Sequence, residues 1–261
     1  MTIKNRLDYL INTLLSENAE YSNIALPESI PDKRRLLRAL MNVRPPLPVP
    51  EHFTSVQDEE LRMQLTEKGI VDADLLPSIG RYVLWQGDIT KLKVDAIVNA
   101  ANSRMLGCFV PLHGCIDNAI HSAAGVQLRL ACNEIMKLKG TPEPTGEAVL
   151  TSGFNLPAKY VIHTVGPIVK GDLPTADDNQ LLGSCYRRCL EVAEEHRLTS
   201  VAFCCISTGE FHFPNKKAAE IAVTTVDRYF SEHPDSTITK VIFNVFKDYD
   251  RQIYSKLLGA Y

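Results

Sequence analysis

The hydrophobic positions at the start of the chain follow a helical period. Apolar residues recur at i, i+3, i+4, i+7 and i+8, a spacing that places them on one face of a helix. These residues are Leu7, Leu10, Ile11, Leu14 and Leu15. The pattern predicts that the chain begins with an amphipathic helix.

Two further helices are predicted before the pattern changes. One follows Pro31 and ends before Pro45, because proline removes a backbone donor and restricts the residue before it. Its apolar face is formed by Leu36, Leu37, Leu40 and Met41. A proline-rich linker follows at 47–50, and a third helix is predicted at 55–68. Residues 1–75 contain neither a His/Cys cluster nor a glycine-rich loop, so we interpret them as a helical N-terminal extension that packs as a cap, with recruitment of a partner protein as the less favoured role.

From residue 76 onward, short apolar runs alternate with helical patterns. Strands are predicted at 81–86, 95–99, 148–151, 160–165, 200–206 and 240–246. Helices are predicted at 117–139, 177–196, 216–230 and 249–258. This alternation is typical of an α/β domain with a largely parallel sheet and helices on both faces. Residues 76–261 are therefore predicted to form the main domain.

Composition and charge narrow the classes of function. The 261 residues are 45% hydrophobic and 23% charged, as in ordinary globular proteins. The 28 Lys and Arg residues against 31 Asp and Glu residues give a net charge of −3, which gives no reason to expect a nucleic-acid partner. No apolar run approaches the roughly 18–20 residues of a membrane helix, and the charged N-terminal stretch does not resemble a signal peptide. Seven cysteines, an odd number, favour a cytoplasmic protein with reduced thiols, some of them available to a metal.

Polar residues directly follow two of the predicted strands. Ligands of parallel sheets bind at the carboxyl ends of the strands, so these residues are candidates for binding. In the Gly-Asp-Ile-Thr sequence of residues 87–90, Asp88 can accept a hydrogen bond from an adenine amino group or a ribose hydroxyl. In the Asn-Ala-Ala-Asn sequence of residues 99–102, Asn102 can bind a sugar hydroxyl or orient a water. A simple turn or helix cap is the alternative in both places.

Three potential zinc donors lie in the next loop. Cys108, His113 and Cys115 offer two thiolates and an imidazole, and three protein ligands would leave a fourth position of a tetrahedral zinc for substrate or water. The alternative is that both cysteines are small buried residues and the histidine is solvated. Asp117 can cap the following helix, whose first amides could meet an anion. His121 is a weaker metal candidate and is expected on the face of that helix.

A fourth candidate segment follows the buried strand at 200–206. Residues 207–214 have the sequence Ser-Thr-Gly-Glu-Phe-His-Phe-Pro, and small residues let backbone N–H groups approach phosphate oxygens. Phe211 or Phe213 could stack on a sugar or a base. The alternative is a tight connection between strand and helix.

Taken together and in this order, the segments at 87–89, 99–102 and 206–209 resemble a macrodomain, the module that binds ADP-ribose. The resemblance covers about residues 76–261 and implies a three-layer α/β/α fold with a mixed, largely parallel sheet. Where many macrodomains have a glycine-rich loop, residues 108–115 of this chain carry the cysteines and the histidine. This resembles the zinc-dependent branch of bacteria and some fungi, which also has an N-terminal helical extension.

The resemblance implies an enzyme and a cofactor. Members of this branch resemble protein-ADP-ribose hydrolases, which remove mono-ADP-ribose from acidic Asp or Glu side chains. Zn²⁺ is then expected on Cys108, His113 and Cys115. The implied partners are an ADP-ribosylated protein, in bacteria a lipoylated carrier protein, and a sirtuin-type ADP-ribosyltransferase. A reader that binds ADP-ribose without hydrolysing it and a hydrolase of O-acyl-ADP-ribose are the alternatives.

The resemblance also assigns the site residues. The expected ADP-ribose contacts are Asp88, Ile89, Asn102, Cys115, Ile116, Asp117, Ser207, Thr208, Gly209, Glu210 and Phe211. The reaction itself gives the expected catalytic residues: Asn102, which would orient the ribose or a water, and Asp117, the nearest candidate for a general base. The alternative for Asp117 is that it only holds the loop. A substrate phosphate is the alternative base, and Glu210 is a poorer one, because its charge would oppose the diphosphate.

Overall fold

The protein consists of an α/β domain preceded by three helices, in a computed structural model that describes residues 1–21 and 23–259. The helices, in chain order, are α1 (Ile3–Ser16), α2 (Ile30–Val43), α3 (Glu51–Lys68), α4 (Ile116–Ala124), α5 (Val126–Lys139), α6 (Ala176–Glu195), α7 (Asn215–Glu232) and α8 (Asp248–Leu258). The strands are β1 (Val71–Asp72), β2 (Tyr82–Gln86), β3 (Leu92–Lys93), β4 (Ala96–Ala101), β5 (Ala148–Ser152), β6 (Tyr160–Val165), β7 (Ser200–Phe203) and β8 (Lys240–Val245). The three predicted N-terminal helices are confirmed, although α3 begins four residues earlier than expected, at Glu51, directly after Pro50.

The main sheet has six strands in the order β2-β8-β7-β4-β6-β5. Every neighbouring pair is parallel except β5 and β6, which are antiparallel. Helices α4 and α5 contact the sheet as one layer, and α6, α7 and α8 contact one another as the other layer. The predicted three-layer fold with a mixed, largely parallel sheet is therefore confirmed.

A crevice opens where β4 and β7 separate. β4 pairs with β6 along all six residues, from Ala96 to Ala101, but it pairs with β7 only at Ala96 and Ile97. The predicted strand at 200–206 was too long, because β7 ends at Phe203. Beyond Phe203 the apolar run continues because Cys204 and Ile206 are buried, and burial alone does not require strand pairing. The carboxyl ends of β4 and β7 thus diverge at the edge where parallel sheets bind ligands.

The prediction of one helix at 117–139 was wrong. The chain breaks at Gly125, which has a φ of +96° and lies between α4 and α5. A Cβ at this glycine would come within 2.5 Å of Nε2 of Gln57, and Oε1 of Gln57 accepts a hydrogen bond from the amide of Val126 at 3.0 Å. The break is therefore the place where α3 of the extension docks on the main domain.

The extension has a hydrophobic core of its own. Residues of α1, α2 and α3 form this core with Val126 of α5. The segment after α3 contacts the main domain, because β1 pairs with β3 and Ala73 lies in the main core. The predicted boundary after residue 75 stays a prediction. Among the residues that the structure describes, no helix is long and apolar enough to span a membrane.

Candidate active site at the carboxyl edge of the sheet

The loop after β2 carries Asp88. Its Oδ1 accepts hydrogen bonds from the amide of Thr90 at 3.0 Å and from the hydroxyl of Thr90 at 2.7 Å, so this oxygen caps a short 3₁₀ turn, as the turn interpretation predicts. The other carboxylate oxygen has no hydrogen-bond partner among the described residues and is available to a ligand donor. The side chain of Ile89 is buried in the main core, so any ligand contact of this residue goes through its backbone.

Two asparagines and one aspartate form a hydrogen-bonded group at the end of β4. Asn99 donates to Oδ1 of Asp117 at 2.8 Å, and Asn102 donates to Oδ2 of Asp117 at 3.4 Å and to the carbonyl of Gly107 at 3.1 Å. Burial raises the pKa of Asp117 to about 6, although the hydrogen bond from Asn99 opposes that effect. These contacts make Asp117 the residue that orients both asparagines. Its use as a general base stays a prediction.

The three predicted zinc donors lie together. The ligand atoms of Cys108, His113 and Cys115 are all within 4.8 Å of one another, and all three residues are partly exposed. Nδ1 of His113 is buried and has no hydrogen-bond partner among the described residues. Burial, and to a lesser degree the neighbouring Cys108, raises the pKa of Cys115 to about 11, so this thiol becomes a thiolate at neutral pH only beside a cation.

This donor group fits zinc. Two sulfurs and one imidazole nitrogen are ligands that zinc prefers, and three protein ligands leave one coordination position open. Within the described residues no fourth Cys, His, Asp or Glu belongs to the group. A structural zinc would be enclosed by four protein ligands, so the arrangement matches the catalytic type of site better.

The first turn of α4 begins directly after this group. Sγ of Cys115 accepts a hydrogen bond from the amide of Asn118 at 3.4 Å and caps the helix. The amides of Ile116 and Asp117 donate no hydrogen bond within the described part of the chain and lie at the positive end of the helix dipole. This helix end can accept an anionic oxygen beside the metal donors.

The loop after β7 offers backbone donors. Ser207 has a φ of +64°. Two backbone hydrogen bonds shape the loop: the amide of Thr208 donates to the carbonyl of Cys205 at 3.4 Å, and the amide of His212 donates to the carbonyl of Gly209 at 3.0 Å. Along the described chain, the amides of residues 209–211 make no hydrogen bond. Three consecutive free amides form a suitable cradle for phosphate oxygens.

Side chains of this loop divide between core and crevice. Phe213 is buried in the main core, so Phe211 is the aromatic residue of this loop that can reach a ligand. The hydroxyl of Ser207 is buried without a partner among the described residues. Oε1 of Glu210 lies 3.6 Å from Nε2 of His113. The loop after β7, residues 207–213, therefore contacts the metal-donor loop, residues 106–115. The structure therefore brings together residues that are almost one hundred positions apart in sequence.

Sequence reasoning missed one exposed aromatic residue at the same edge. Phe246 directly follows β8, which pairs with β2, and its side chain is 76% exposed. Its carbonyl accepts a hydrogen bond from Gln86 at 3.2 Å, so it lies next to the Asp88 loop. The sequence shows Phe246 only as the last apolar residue of the strand predicted at 240–246, so nothing in the pattern separated it from the buried residues of that strand.

A second group of potential metal donors lies in the core. The ligand atoms of His121, Cys132 and His163 are also within 4.8 Å of one another, but all three residues are buried. His163 already uses both ring nitrogens, with Asn99 at 3.1 Å and Thr151 at 2.9 Å. His163 is therefore a hydrogen-bonded core histidine, and His121 lies buried and not on an exposed helix face.

Comparisons with known proteins agree with this architecture. Residues 98–222 match the family described as Macro domain. A protein of Treponema medium named "Protein-ADP-ribose hydrolase" is 50% identical over 264 residues, which cover 99% of this chain and 100% of the relative. A protein of Staphylococcus aureus (strain Mu50 / ATCC 700699) with the same name is 52% identical over 259 residues, covering 98% of this chain and 96% of the relative. The solved Trypanosoma brucei macrodomain in complex with ADP-ribose has a TM-score of 0.66 and 30% identity, and covers 85% of this chain and 95% of the solved chain.

The fold and the loops at the carboxyl edge of its sheet define a three-layer α/β protein of the macrodomain type, with two cysteines and a histidine grouped at that edge. The chain belongs to the macro domain family, and its full-length relatives carry the name protein-ADP-ribose hydrolase.

Proposed function

We propose that this protein is a zinc-dependent protein-ADP-ribose hydrolase that removes mono-ADP-ribose from acidic side chains of a target protein. The observation that carries the proposal is the position of the donor group of Cys108, His113 and Cys115. It lies beside the first turn of α4 and is joined to the loop of residues 207–213 through the contact between His113 and Glu210. A metal beside a phosphate-binding crevice suits hydrolysis of a bound nucleotide-diphosphate sugar better than binding alone.

The ligand is expected to lie along the sheet edge. Asp88 would accept a hydrogen bond from the adenine, the free amides of residues 209–211 would bind the diphosphate, and Asn102 would contact the distal ribose. The relatives' name and the ADP-ribose named with the solved macrodomain support ADP-ribose as the ligand. Ile116, Ser207 and Thr208 would contribute through their backbones at the two loop ends.

The proposed reaction breaks the bond between C1″ of the distal ribose and a carboxylate oxygen of the target. The oxygen of a water bonds to C1″, one of its protons leaves, and the released side chain becomes a free carboxyl group. The chemistry that zinc supplies when bound is polarisation of an oxygen or a lowered pKa of a water. Asn102 orients the ribose or the water, because an amide is too weak a base to take a proton.

Asp117 holds the side chain of Asn102 in this arrangement through a hydrogen bond. Its carboxylate accepts hydrogen bonds from both Asn99 and Asn102, so it fixes the direction in which the Asn102 amide points. Asp117 is also the nearest candidate for the group that accepts the proton of the water.

The partners and the compartment belong to the same proposal. An ADP-ribosylated protein is the substrate that the relatives' name implies. A lipoylated carrier protein as target, a sirtuin-type transferase as the source of the modification, and a cytoplasmic location are expectations that follow from the resemblance of residues 108–115 to the zinc-dependent branch.

The test measures release of ADP-ribose from a protein modified on an aspartate. Wild-type protein is compared with Asn102→Ala and Cys108→Ala, while binding of free ADP-ribose is measured by calorimetry and zinc content by elemental analysis. We expect one zinc per chain in the wild type, strongly reduced release with both variants, and retained ADP-ribose binding at least for Cys108→Ala. Undiminished release with both variants would contradict the assigned roles.

The same assay separates the alternative functions. A wild type that binds ADP-ribose but releases none would be a reader. Faster cleavage of O-acetyl-ADP-ribose than of the modified protein would identify a hydrolase of small esters. Comparison of aspartate-linked with serine-linked substrate tests the proposed acidic linkage.

A further inference from the structure

The backbone of the metal-donor loop is fixed by side chains outside it. Two of these come from the main domain: Arg129 donates to the carbonyl of Leu106 at 2.6 Å, and Asn118 donates to that of Val110 at 3.0 Å. Both are buried residues of the helices that follow the loop.

Two further contacts come from α2 of the N-terminal extension. The amide of Leu112 donates to Oδ1 of Asn42 at 2.9 Å, and Nη2 of Arg38 donates to the carbonyl of His113 at 3.4 Å. The same Arg38 nitrogen donates to Oδ1 of Asn118 at 2.9 Å. The extension therefore contacts the backbone on both sides of the bond that joins Leu112 to His113.

The backbone at this point requires support. Leu112 has a φ of +57°, in the left-handed region that residues with a side chain rarely adopt. Such a conformation persists only where surrounding contacts determine it. Because His113 follows directly, the conformation of Leu112 sets the direction from which the imidazole approaches the two cysteines.

Asn42 is well placed to provide that support. It is buried, and its Nδ2 donates to Oγ of Ser122 on α4 at 2.9 Å, so both ends of the amide are engaged. The end of α2 is anchored in turn, since Arg129 donates to the carbonyl of Met41 at 3.0 Å. The position of Asn42 is thus fixed relative to the same helices that carry the rest of the site.

We infer that α2 is part of the metal centre, with Asn42 as a positioning residue that fixes the Leu112–His113 turn and Arg38 as a second, weaker one. The inference rests on the proposed function, because it assigns the extension a part in the zinc site proposed there. It changes the role of residues 1–75 from a cap that only packs to an element that presets one zinc ligand.

The test uses the full-length protein and three variants with one control. Asn42→Ala removes both hydrogen bonds, and Asn42→Asp keeps the acceptor for Leu112. Arg38→Met keeps the length of the stem but removes its donors. The control is Arg35→Met on the same helix, because Arg35 is exposed and has no hydrogen bond or ion pair within the described residues.

Zinc affinity is measured by competition with a chromophoric chelator, and the ligand set by the absorption spectrum of the cobalt(II)-substituted protein. Partners that orient a metal ligand typically contribute about 10- to 100-fold in metal affinity, so we expect a loss of that order for Asn42→Ala and a smaller one, about threefold to tenfold, for Arg38→Met. Asn42→Asp should regain most of the affinity, and Arg35→Met should equal the wild type. Hydrogen exchange of the peptide covering residues 106–116 should rise in Asn42→Ala, in the absence of metal as well.

The outcomes separate this inference from the proposed function. A wild type that takes up no zinc would overturn both. A wild type that takes up zinc, together with a folded Asn42→Ala that has the same affinity and the same cobalt spectrum, would overturn this inference alone. If Asn42→Ala does not fold, unchanged zinc affinity in Arg38→Met, with unchanged exchange of the loop peptide in that variant, would overturn it as well.

Discussion

Two groups of histidine and cysteine side chains in this protein have the same spacing but different surroundings. The loop group consists of Cys108, His113 and Cys115, and the core group of His121, Cys132 and His163. In each group the ligand atoms lie within 4.8 Å of one another. Spacing alone therefore does not separate them.

Burial and hydrogen bonding do separate them. The loop group is partly exposed, and Nδ1 of His113 has no partner among the described residues. In the core group His163 already bonds to Asn99 and Thr151. In the same core group, both ring nitrogens of His121 lack a hydrogen-bond partner among the described residues, but all three side chains are buried. A metal needs a route of entry as well as unused lone pairs, so we interpret the partly exposed loop group as the metal site and His163 as part of a buried hydrogen-bond network.

The comparison is tested most strongly by replacing one cysteine of each group. In Cys115→Ser the hydroxyl can still cap α4, as the thiol does, but zinc loses a thiolate ligand. We expect zinc content to fall from one per chain to near zero, and ADP-ribose release to fall by about 100-fold or more. Cys132→Ser should keep zinc, with activity within about threefold of the wild type. Loss of zinc in Cys132→Ser and its retention in Cys115→Ser would reverse the interpretation.

A histidine from each group gives the next largest effect. His163→Ala removes one buried hydrogen-bond partner from Asn99 and another from Thr151 and opens a cavity, so the free energy of unfolding should fall by about 3 kcal/mol. His113→Ala should lower it by less than about 1 kcal/mol, because this residue is partly exposed. Urea unfolding with a chelator present measures both without the contribution of bound metal. If His113→Ala proved the more destabilising of the two, the assignment of His163 to the structural network would be wrong.

Gly107 lies where the two groups meet. It has a φ of +80°, and a Cβ there would lie 3.0 Å from Cγ of His121 and 3.1 Å from Nη2 of Arg129. Gly107→Ala should therefore lower the free energy of unfolding by about 1–2 kcal/mol and weaken zinc binding. Gly209→Ala is the matched control, because nothing lies within 4 Å of its added Cβ and its φ is not in the left-handed region. Equal stability of the two variants would show that the groups are not coupled through this glycine.

The smallest predicted effect is a dependence of stability on pH. Burial lowers the pKa of His163 to about 3, whereas the unfolded chain keeps the ordinary value near 6.5. Between these pH values the unfolded state binds one more proton than the folded state. The contribution of neutral His163 to the free energy of unfolding is therefore full above about pH 6.5 and is lost as the pH falls toward 3. Proton linkage to His163 should lower the free energy of unfolding by about 1 kcal/mol between pH 6.5 and 5.5.

The decrease in the free energy of unfolding between pH 6.5 and 5.5 is measured by urea unfolding at both pH values with a chelator present. His163→Gln lacks the titrating group and should show a smaller decrease than the wild type. His121, whose pKa burial also lowers, should account for part of the decrease that is left. An unchanged decrease in His163→Gln would mean that His163 is not held neutral in the folded protein.

Much of the fold followed from local patterns. The periods of 3.6 and 2 placed the helices and strands to within a few residues, because each pattern reflects which face of an element is buried. The failures fell where a distant contact decided the local structure. The helix predicted at 117–139 is broken at Gly125, where Gln57 docks. The strand predicted at 200–206 ends at Phe203, and Cys204 and Ile206 beyond it are buried without strand pairing.

The candidate site shows the same division. The short spacing from Cys108 to Cys115 kept the three donors within one loop. The order of strands and helices along the chain predicted which loops would follow the carboxyl ends of strands. Phe246 could not be separated from the strand before it. The contact between His113 and Glu210 joins residues that no local pattern relates.

The sequence by itself determined which atoms are available for chemistry in this protein, because side-chain type fixes a donor's affinity for metal, and a short loop keeps its donors close. Tertiary structure alone decided which of those donors stay usable. Hydrogen bonds occupy the nitrogens of His163, while Asn42, seventy residues earlier in the chain than Leu112, accepts a hydrogen bond from the Leu112 amide next to His113. Both outcomes depend on contacts between distant segments, which exist only once the chain has folded.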